Sequence, residues 1–350
     1  MNERFRAEDL VEAAAQVLTR AGLEEAIAQV VAEILVEADL LGYDTHGLQF
    51  LPAYLGGVES GRTRGTGLPE VLRDGGNTLL LDGGFLPGQW VMVQALQMAL
   101  ERVGEFGAVS VSIRRAQNIS CLATYARRAA LSGMLALVMA SAPASAAVAP
   151  HGGSAPRLST NPLAVGIPSE GAPLLIDTST AATSNRNLER HERAGTTLPH
   201  PVLVTHDGRP SQDPAVVRGD PPGAILPAGG LADGHRGYAF SLMVEAFTSA
   251  LCGWGRAKGA QAGGNNVFLQ VMDPAAFGGA ADFAAETAHL AAYCRDTPAQ
   301  RPEAPVRVPG ERAARAWEDG MARGVPLHPE IMPRLLPCLE KYGVAAPRPV

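Results

Sequence analysis

The segment Asp44-Thr45-His46-Gly47 follows directly on an apolar helical run and is charged and turn-prone. An imidazole titrates near neutrality, so a histidine held in such a turn can give or take a proton at physiological pH. A lone loop histidine is more often structural. Here Asp44 could fix its tautomer, and Gly47 would let a ligand approach the backbone. A second stretch, APHGGSAPRLSTNPLAVGIP, offers His151, a glycine pair, and then Thr160 and Asn161 before a strand. Hydroxyls and amides beside free backbone N–H groups suit a phosphate or a carboxamide, and they suit a surface loop with Asx turns equally well. In IDTSTAATSN, Asp177 closes a strand and Thr178, Ser179 and Thr180 follow, a run able to hold a ribose or pyrophosphate, or simply a polar turn. In ILPAGGLADGHRGYAF, glycines and the pair His235-Arg236 stand just before a long helix, which makes an anion site. VRVPGER adds a turn with Gly310, Glu311 and Arg312, readable as a second site or as a helix start.

These groups need a frame. Apolar spacing predicts helices over 8–20 and 24–41, then a strand at 79–81 and a helix over 89–103. A strand at 108–113, a helix over 119–131 and a strand at 134–141 read as a β-α-β unit. Short strands follow in LAVGIP, LLIDTS and PVLVTHDG. The apolar segment 238–254 reads as a helix packed on both sides, and 266–273 as a core strand. Helices over 280–293, 311–323 and 329–342 complete the chain. The helical ends and strand-bearing middle divide it into a helical domain from 1–75 and 280–350 and a central sheet domain from 76–279.

Composition bounds the function. The 350 residues are 46% hydrophobic and 18% charged, with a net charge of −6, an ordinary globular balance. No basic stripe points to nucleic acid, and aromatics at 5% are too few for a base-stacking surface. Four scattered cysteines show no metal-ligand or disulfide spacing, so no metal is expected. The start of the chain has no signal-peptide pattern and no apolar run spans a bilayer, so a cytoplasmic protein is expected. GxGxxG, GxxxxGK[ST] and GxSxG are all absent, which removes the standard dinucleotide fingerprint, the P-loop and the nucleophile elbow.

Taken in order, ADLLGYDTHGLQFLPAY, LLLDGGFLPGQ, APHGG with STNPLAVGIP, IDTST, LPAGG with GHRGYAFSLMVE, and VRVPGER resemble the malate/L-lactate dehydrogenases of the second type. Ureidoglycolate dehydrogenase, diketogulonate reductase and the piperideine/pyrroline-2-carboxylate reductases belong to the same group. The likeness runs from about Ala7 to Leu336. It implies an α/β fold with a non-Rossmann, mixed-sheet nicotinamide-binding domain and a helical domain built from both termini. It also implies a homodimer and hydride transfer between NAD(P)H and a 2-oxo or cyclic 2-imino acid. By motif, His46 matches the acid/base histidine and Tyr54 a pocket tyrosine. Thr160, Asn161, Asp177, Thr178, Ser179, Thr180, His235, Arg236, Gly310, Glu311 and Arg312 match the cofactor loops. Thr45, Gln49, Phe50 and His151 are the expected pocket residues.

The chain departs from that pattern where substrate is held. Phe50 stands four residues after the histidine, where the resemblance calls for an arginine that clamps a carboxylate. Loss of such a charge pair costs roughly 2–5 kcal/mol for a carboxylate ligand. Asn118 stands in place of a second histidine, with Ala116 and Ser120 replacing a serine and a glycine around it. An amide hydrogen-bonds but gives up no proton at neutral pH. Arg186-Asn187 replaces a Gly-Lys pair, and Arg236 a lysine. The expectation is therefore an NAD(P)H-dependent oxidoreductase on a carbonyl or imine of a non-standard substrate, with His46, Tyr54 and Asn118 as its catalytic set. The alternative is a non-redox enzyme using His46 for proton transfer on a vestigial cofactor scaffold. A non-catalytic binding protein is the third reading, opposed by the retained His46, Asp177 and glycine loops.

Overall fold

The computed structural model describes residues 3–259 and 264–350. One seven-stranded sheet carries the fold. Its strands are β1 (Glu70–Asp74), β2 (Thr78–Asp82), β3 (Ala108–Ala116), β4 (Leu135–Ser141), β5 (Pro162–Ile167), β6 (Leu174–Ser179) and β7 (Asn265–Met272). They lie in the order β1-β2-β3-β7-β4-β5-β6. Among neighbours only β2 and β3 run parallel, so the sheet is mixed. Val109, Val111 and Ile113 of β3 alternate into the core, as do Val267, Leu269 and Val271 of β7.

The β-α-β unit read over 108–141 is a split one, its two strands parallel but not adjacent. β3 and β4 are joined by α5 (Leu122–Leu131), yet they do not touch as neighbours. β7, arriving from far downstream, lies between them, with Val267 opposite both Ile113 and Ala140. The adjacent parallel pair is β2 and β3, connected by α4 (Gly88–Phe106). α5 also starts later than expected, because Ser120 sits at φ 63° and breaks the helical path. It then lies close on β5: a Cβ at Gly166 would stand 2.0 Å from the Ala126 carbonyl oxygen.

Helices α1 (Ala7–Arg20) and α2 (Glu25–Leu40) pack on each other, and α9 (Glu311–Arg323) and α10 (Ile331–Lys341) from the far end of the chain pack against α2 and α1. Arg4–Phe5 also pair with Val325–Pro326 in a short ladder. α3 (Leu51–Glu59) leads out of the His46 turn, and α6 (Asn185–Ala194) follows β6. Neither helix is evident from apolar spacing. α6 buries only Leu188, so no periodic stripe marks it; a Ser184 N-cap and a left-handed Gly195 bracket it instead. α8 (Ala280–Arg295) buries only Ala291 and is tied to the end of β5 by the Thr287 hydroxyl donating to the Pro168 carbonyl.

α7 (Gly230–Glu245) begins well before the expected Tyr238 and widens into a π turn at Ala246–Ala250. It is not covered on both sides within the chain. Ser241, Val244 and Thr248 face inward, while Leu231, Phe240, Leu242, Phe247 and Leu251 remain exposed. Among the described residues, no helix is long and apolar enough to cross a membrane, and no three His, Cys, Asp or Glu side chains group as a metal site.

Candidate active site

The His46 turn is held from behind by a buried carboxyl. Asp39, in the last turn of α2, accepts a hydrogen bond from the Leu48 amide at 2.8 Å. A Cβ on residue 47 would fall 2.2 Å from that carboxyl carbon, so glycine is required there for a reason other than the one expected: Asp39, and no ligand, occupies the space. Burial pushes the Asp39 carboxyl well above its usual range. The tautomer partner also differs. Asp44 turns to Arg190 at 3.3 Å, and the His46 Nδ1 meets the Thr45 hydroxyl at 2.9 Å. Nε2 is thereby left for a ligand.

Opposite the turn lies the loop 118–121. Tyr54 donates to the Asn118 carbonyl oxygen at 2.7 Å, and the Ser120 amide donates to the same oxygen at 2.9 Å. Two donors on one oxygen fix the orientation of the amide, so its NH2 group is free to donate. Ser120 adopts a left-handed conformation that favours glycine, and its hydroxyl donates to the His46 carbonyl. That bond offsets a backbone strain on the order of 1 kcal/mol and ties the loop to the histidine turn.

These segments and the ends of β4, β5 and β6 enclose a cavity of about 400 Å³. His46, Thr45, Asn118, Thr160, Asp177, Thr178 and Ser179 all line it, together with Ser120, and with Tyr43, Cys121, Ser141 and Asn185, which the sequence reading did not single out as site residues. Asp177 accepts from the Ala123 amide at 2.8 Å and so caps α5 from a neighbouring strand. Burial raises its carboxyl to about 6, against the opposing pull of that bond. His46 moves the other way. Burial first, and the Arg186 charge second, lower it to about 4, with Asp44 opposing.

Other expected site residues lie elsewhere. Asn161, fully buried at φ 44°, donates to the Ser241 hydroxyl at 2.9 Å and to Glu245 at 3.0 Å, pinning the start of β5 to α7. Thr180 is buried and bonds the Thr160 carbonyl at 3.1 Å. Gln49 is buried, and its amide nitrogen has no hydrogen-bond partner among the described residues. His151 and His235 sit with ring centroids 5.8 Å apart, and His151 lines a second cavity of about 520 Å³ with Gly152, Gly153, His206 and Gly230. His235 and Arg236 fall in the second turn of α7 and not ahead of it, because Gly229 already turns the chain into the helix at φ 96°. Gly310 packs against the Leu175 backbone, Glu311 pairs with Arg295, and Arg312 donates to the Gly42 carbonyl and lies over the ring of Tyr43.

Phe50 is 8% exposed and stands between two rings: His46 at 5.9 Å and Tyr54 at 5.7 Å. Arg186 covers its ring at 4.4 Å. The family model described as malate/L-lactate dehydrogenase matches residues 5–336. The chain belongs to the malate/L-lactate dehydrogenase family.

Relatives from within and around this family are similar over most of the chain. An L-lactate dehydrogenase of Cupriavidus necator is 33% identical over 298 residues, covering 82% of this chain and 83% of that one. A Δ1-pyrroline-2-carboxylate/Δ1-piperideine-2-carboxylate reductase of Pseudomonas syringae pv. tomato is 30% identical over 316 residues, 87% of each. The crystal structure of malate dehydrogenase from Entamoeba histolytica superposes with a TM-score of 0.91 over 99% of this chain and 100% of that one. At 24% identity that likeness speaks to the fold. As a member of the malate/L-lactate dehydrogenase family, the chain falls among oxidoreductases. Phe50 lies next to the His46 ring, and Asn118 lines the same cavity as His46, among hydroxyl and amide groups.

Proposed function

We propose that this chain is an NAD(P)H-dependent oxidoreductase acting on a carbonyl or imine, with a substrate recognised differently from those of arginine-bearing relatives. One observation supports the reading above the others. A proton-exchanging histidine and an oriented amide donor face a hydroxyl-rich strand end across a single cavity. The uncommitted groups there fit a nicotinamide and its ribose. The side chains of Thr160 and Asn185 make no hydrogen bond among the described residues, and the Thr178 hydroxyl makes only a long one of 3.4 Å. His235 and Arg236, on the second turn of α7, would be further hydrogen-bonding partners for the phosphates.

A reduced nicotinamide supplies the hydride when bound. The chain's own residues manage the proton and the substrate's position. His46 Nε2 exchanges a proton with the substrate oxygen or nitrogen, and the Asn118 NH2 donates a hydrogen bond to the same atom. With its pKa near 4, the resting imidazole is neutral at neutral pH and set to accept a proton from a hydroxyl. A bound carboxylate nearby favours the charged imidazole and prepares the reverse direction.

Fluorescence titration with NADH and NADPH tests this reading. We expect saturable binding of at least one, accompanied by turnover of a 2-oxo or 2-imino acid. Binding of neither nucleotide overturns the redox assignment and leaves the non-redox use of His46. We further propose a homodimer, supported by the exposed apolar side chains Phe240, Phe247 and Leu251 along one side of α7 and the turn that follows it, since exposed apolar surface marks an interface. Light scattering should then read about twice the chain mass of 36.5 kDa, and a mass of one chain at micromolar concentration rejects it.

A further inference from the structure

No Arg or Lys is among the described residues lining the His46 cavity, yet the helix that its lining leads into carries two guanidinium groups in its first two turns. Ser184 and Asn185, which do line it, lead into α6, whose first turn carries Arg186 and whose second carries Arg190. Arg190 reaches Asp44 on the His46 turn at 3.3 Å. Arg186 lies 4.4 Å above the ring of Phe50, itself next to His46. Glu189 holds one Arg186 nitrogen at 2.6 Å and is its single carboxylate partner among the described residues. A guanidinium stacked on an aromatic face is held in a fixed plane, and it can still offer paired N–H donors along its edge. That geometry matches a carboxylate.

We propose that Arg186, laid on Phe50 beside His46, is the carboxylate-binding residue of this chain, so that the substrate carries a carboxylate next to its reacting carbon. The cation is supplied by α6, while the position four residues after His46 supplies the ring that carries it. Phe50 is then a platform for the clamp, and its aromatic character has a reason. The inference rests on the reading of the His46 cavity as the substrate site. It deepens that reading by naming the residue of this chain that meets the substrate carboxylate.

Oxamate and oxamide differ only in the carboxylate, and calorimetry can measure each with and without saturating NADH or NADPH. We expect the wild type to bind oxamate and to discriminate against oxamide. Arg186→Met should weaken oxamate by at least about 30-fold with oxamide unchanged, the fold-change for losing one buried charge partner. Arg186→Lys should fall between the two, because it keeps the charge without the planar fork. Phe50→Arg placed in the Arg186→Met chain should recover oxamate binding. Nucleotide affinity should stay within about twofold throughout. Equal oxamate affinity in wild type and Arg186→Met overturns the proposal, as does an equal loss for oxamide, which marks a packing role. If Arg186→Met does not fold, Arg186→Lys carries the same comparison. A wild type that binds neither nucleotide defeats the redox reading alone, since oxamate binding to the free protein still reports on Arg186; no oxamate binding in either state defeats the clamp.

Discussion

Replacing His46 by alanine is expected to lower turnover by about 10²- to 10⁴-fold while nucleotide affinity stays unchanged, the loss typical of a removed acid/base group. The reason is positional. Asp39 and Ser120 anchor the turn through the Leu48 amide and the His46 carbonyl, so the backbone survives loss of the imidazole. The wild-type pH profile carries the same signature. With His46 near 4, kcat/KM for oxidation of a hydroxy acid should rise through that pH as the base form appears, and reduction should fall. In His46→Ala that ionisation should vanish. Stability changes too. The folded pKa lies below the unfolded value near 6.5, so the unfolded chain binds more protons between these values and stability drops as pH falls from 6.5 to 4. His46→Ala should flatten that slope in urea titrations. Unchanged turnover across the pH range removes His46 from the mechanism.

Asp177→Asn is expected to stabilise the fold above pH 6. Asparagine keeps the acceptor for the Ala123 amide, so the cap on α5 survives. What it removes is a charge in an enclosed site. The folded pKa near 6 lies above the ordinary 3.8, so the native state binds more protons between them and stability falls as pH rises through that window. The gain at pH 8 should reach up to about 2 kcal/mol, discounted because an edge of the carboxyl is wetted by the cavity. It should disappear below pH 4. Denaturant midpoints at pH 4 and pH 8 read the effect directly. A midpoint that falls at both values means that the carboxylate is held by favourable contacts.

Much of this molecule is legible in local sequence. Alternation in AVSVSI and NVFLQV marks buried strands because a pleated strand shows successive side chains to opposite faces. The helices of both chain ends show in their apolar spacing, and the DTHG turn shows as a polar break. His46, Asn118, Thr160 and Asp177 could each be picked out as chemical candidates, and the cavity gathers them. α6 escaped because a surface helix with one buried residue carries no stripe; only its Ser184 and Gly195 caps signal it.

Residue types and short-range periodicity therefore determined which segments form strands and helices, which family the chain resembles, and which side chains are able to move a proton. Tertiary structure alone decided who meets whom. It put β7 between β3 and β4, set Thr45 and not Asp44 on the His46 ring, filled the space at Gly47 with Asp39, and drew Asn161 into the core. It also laid Arg186 on Phe50, a residue far away in the sequence. Backbone periodicity is a local property that neighbouring residues fix by themselves. A contact between distant segments depends on the path of the whole chain, and in this protein the charge beside His46 is such a contact.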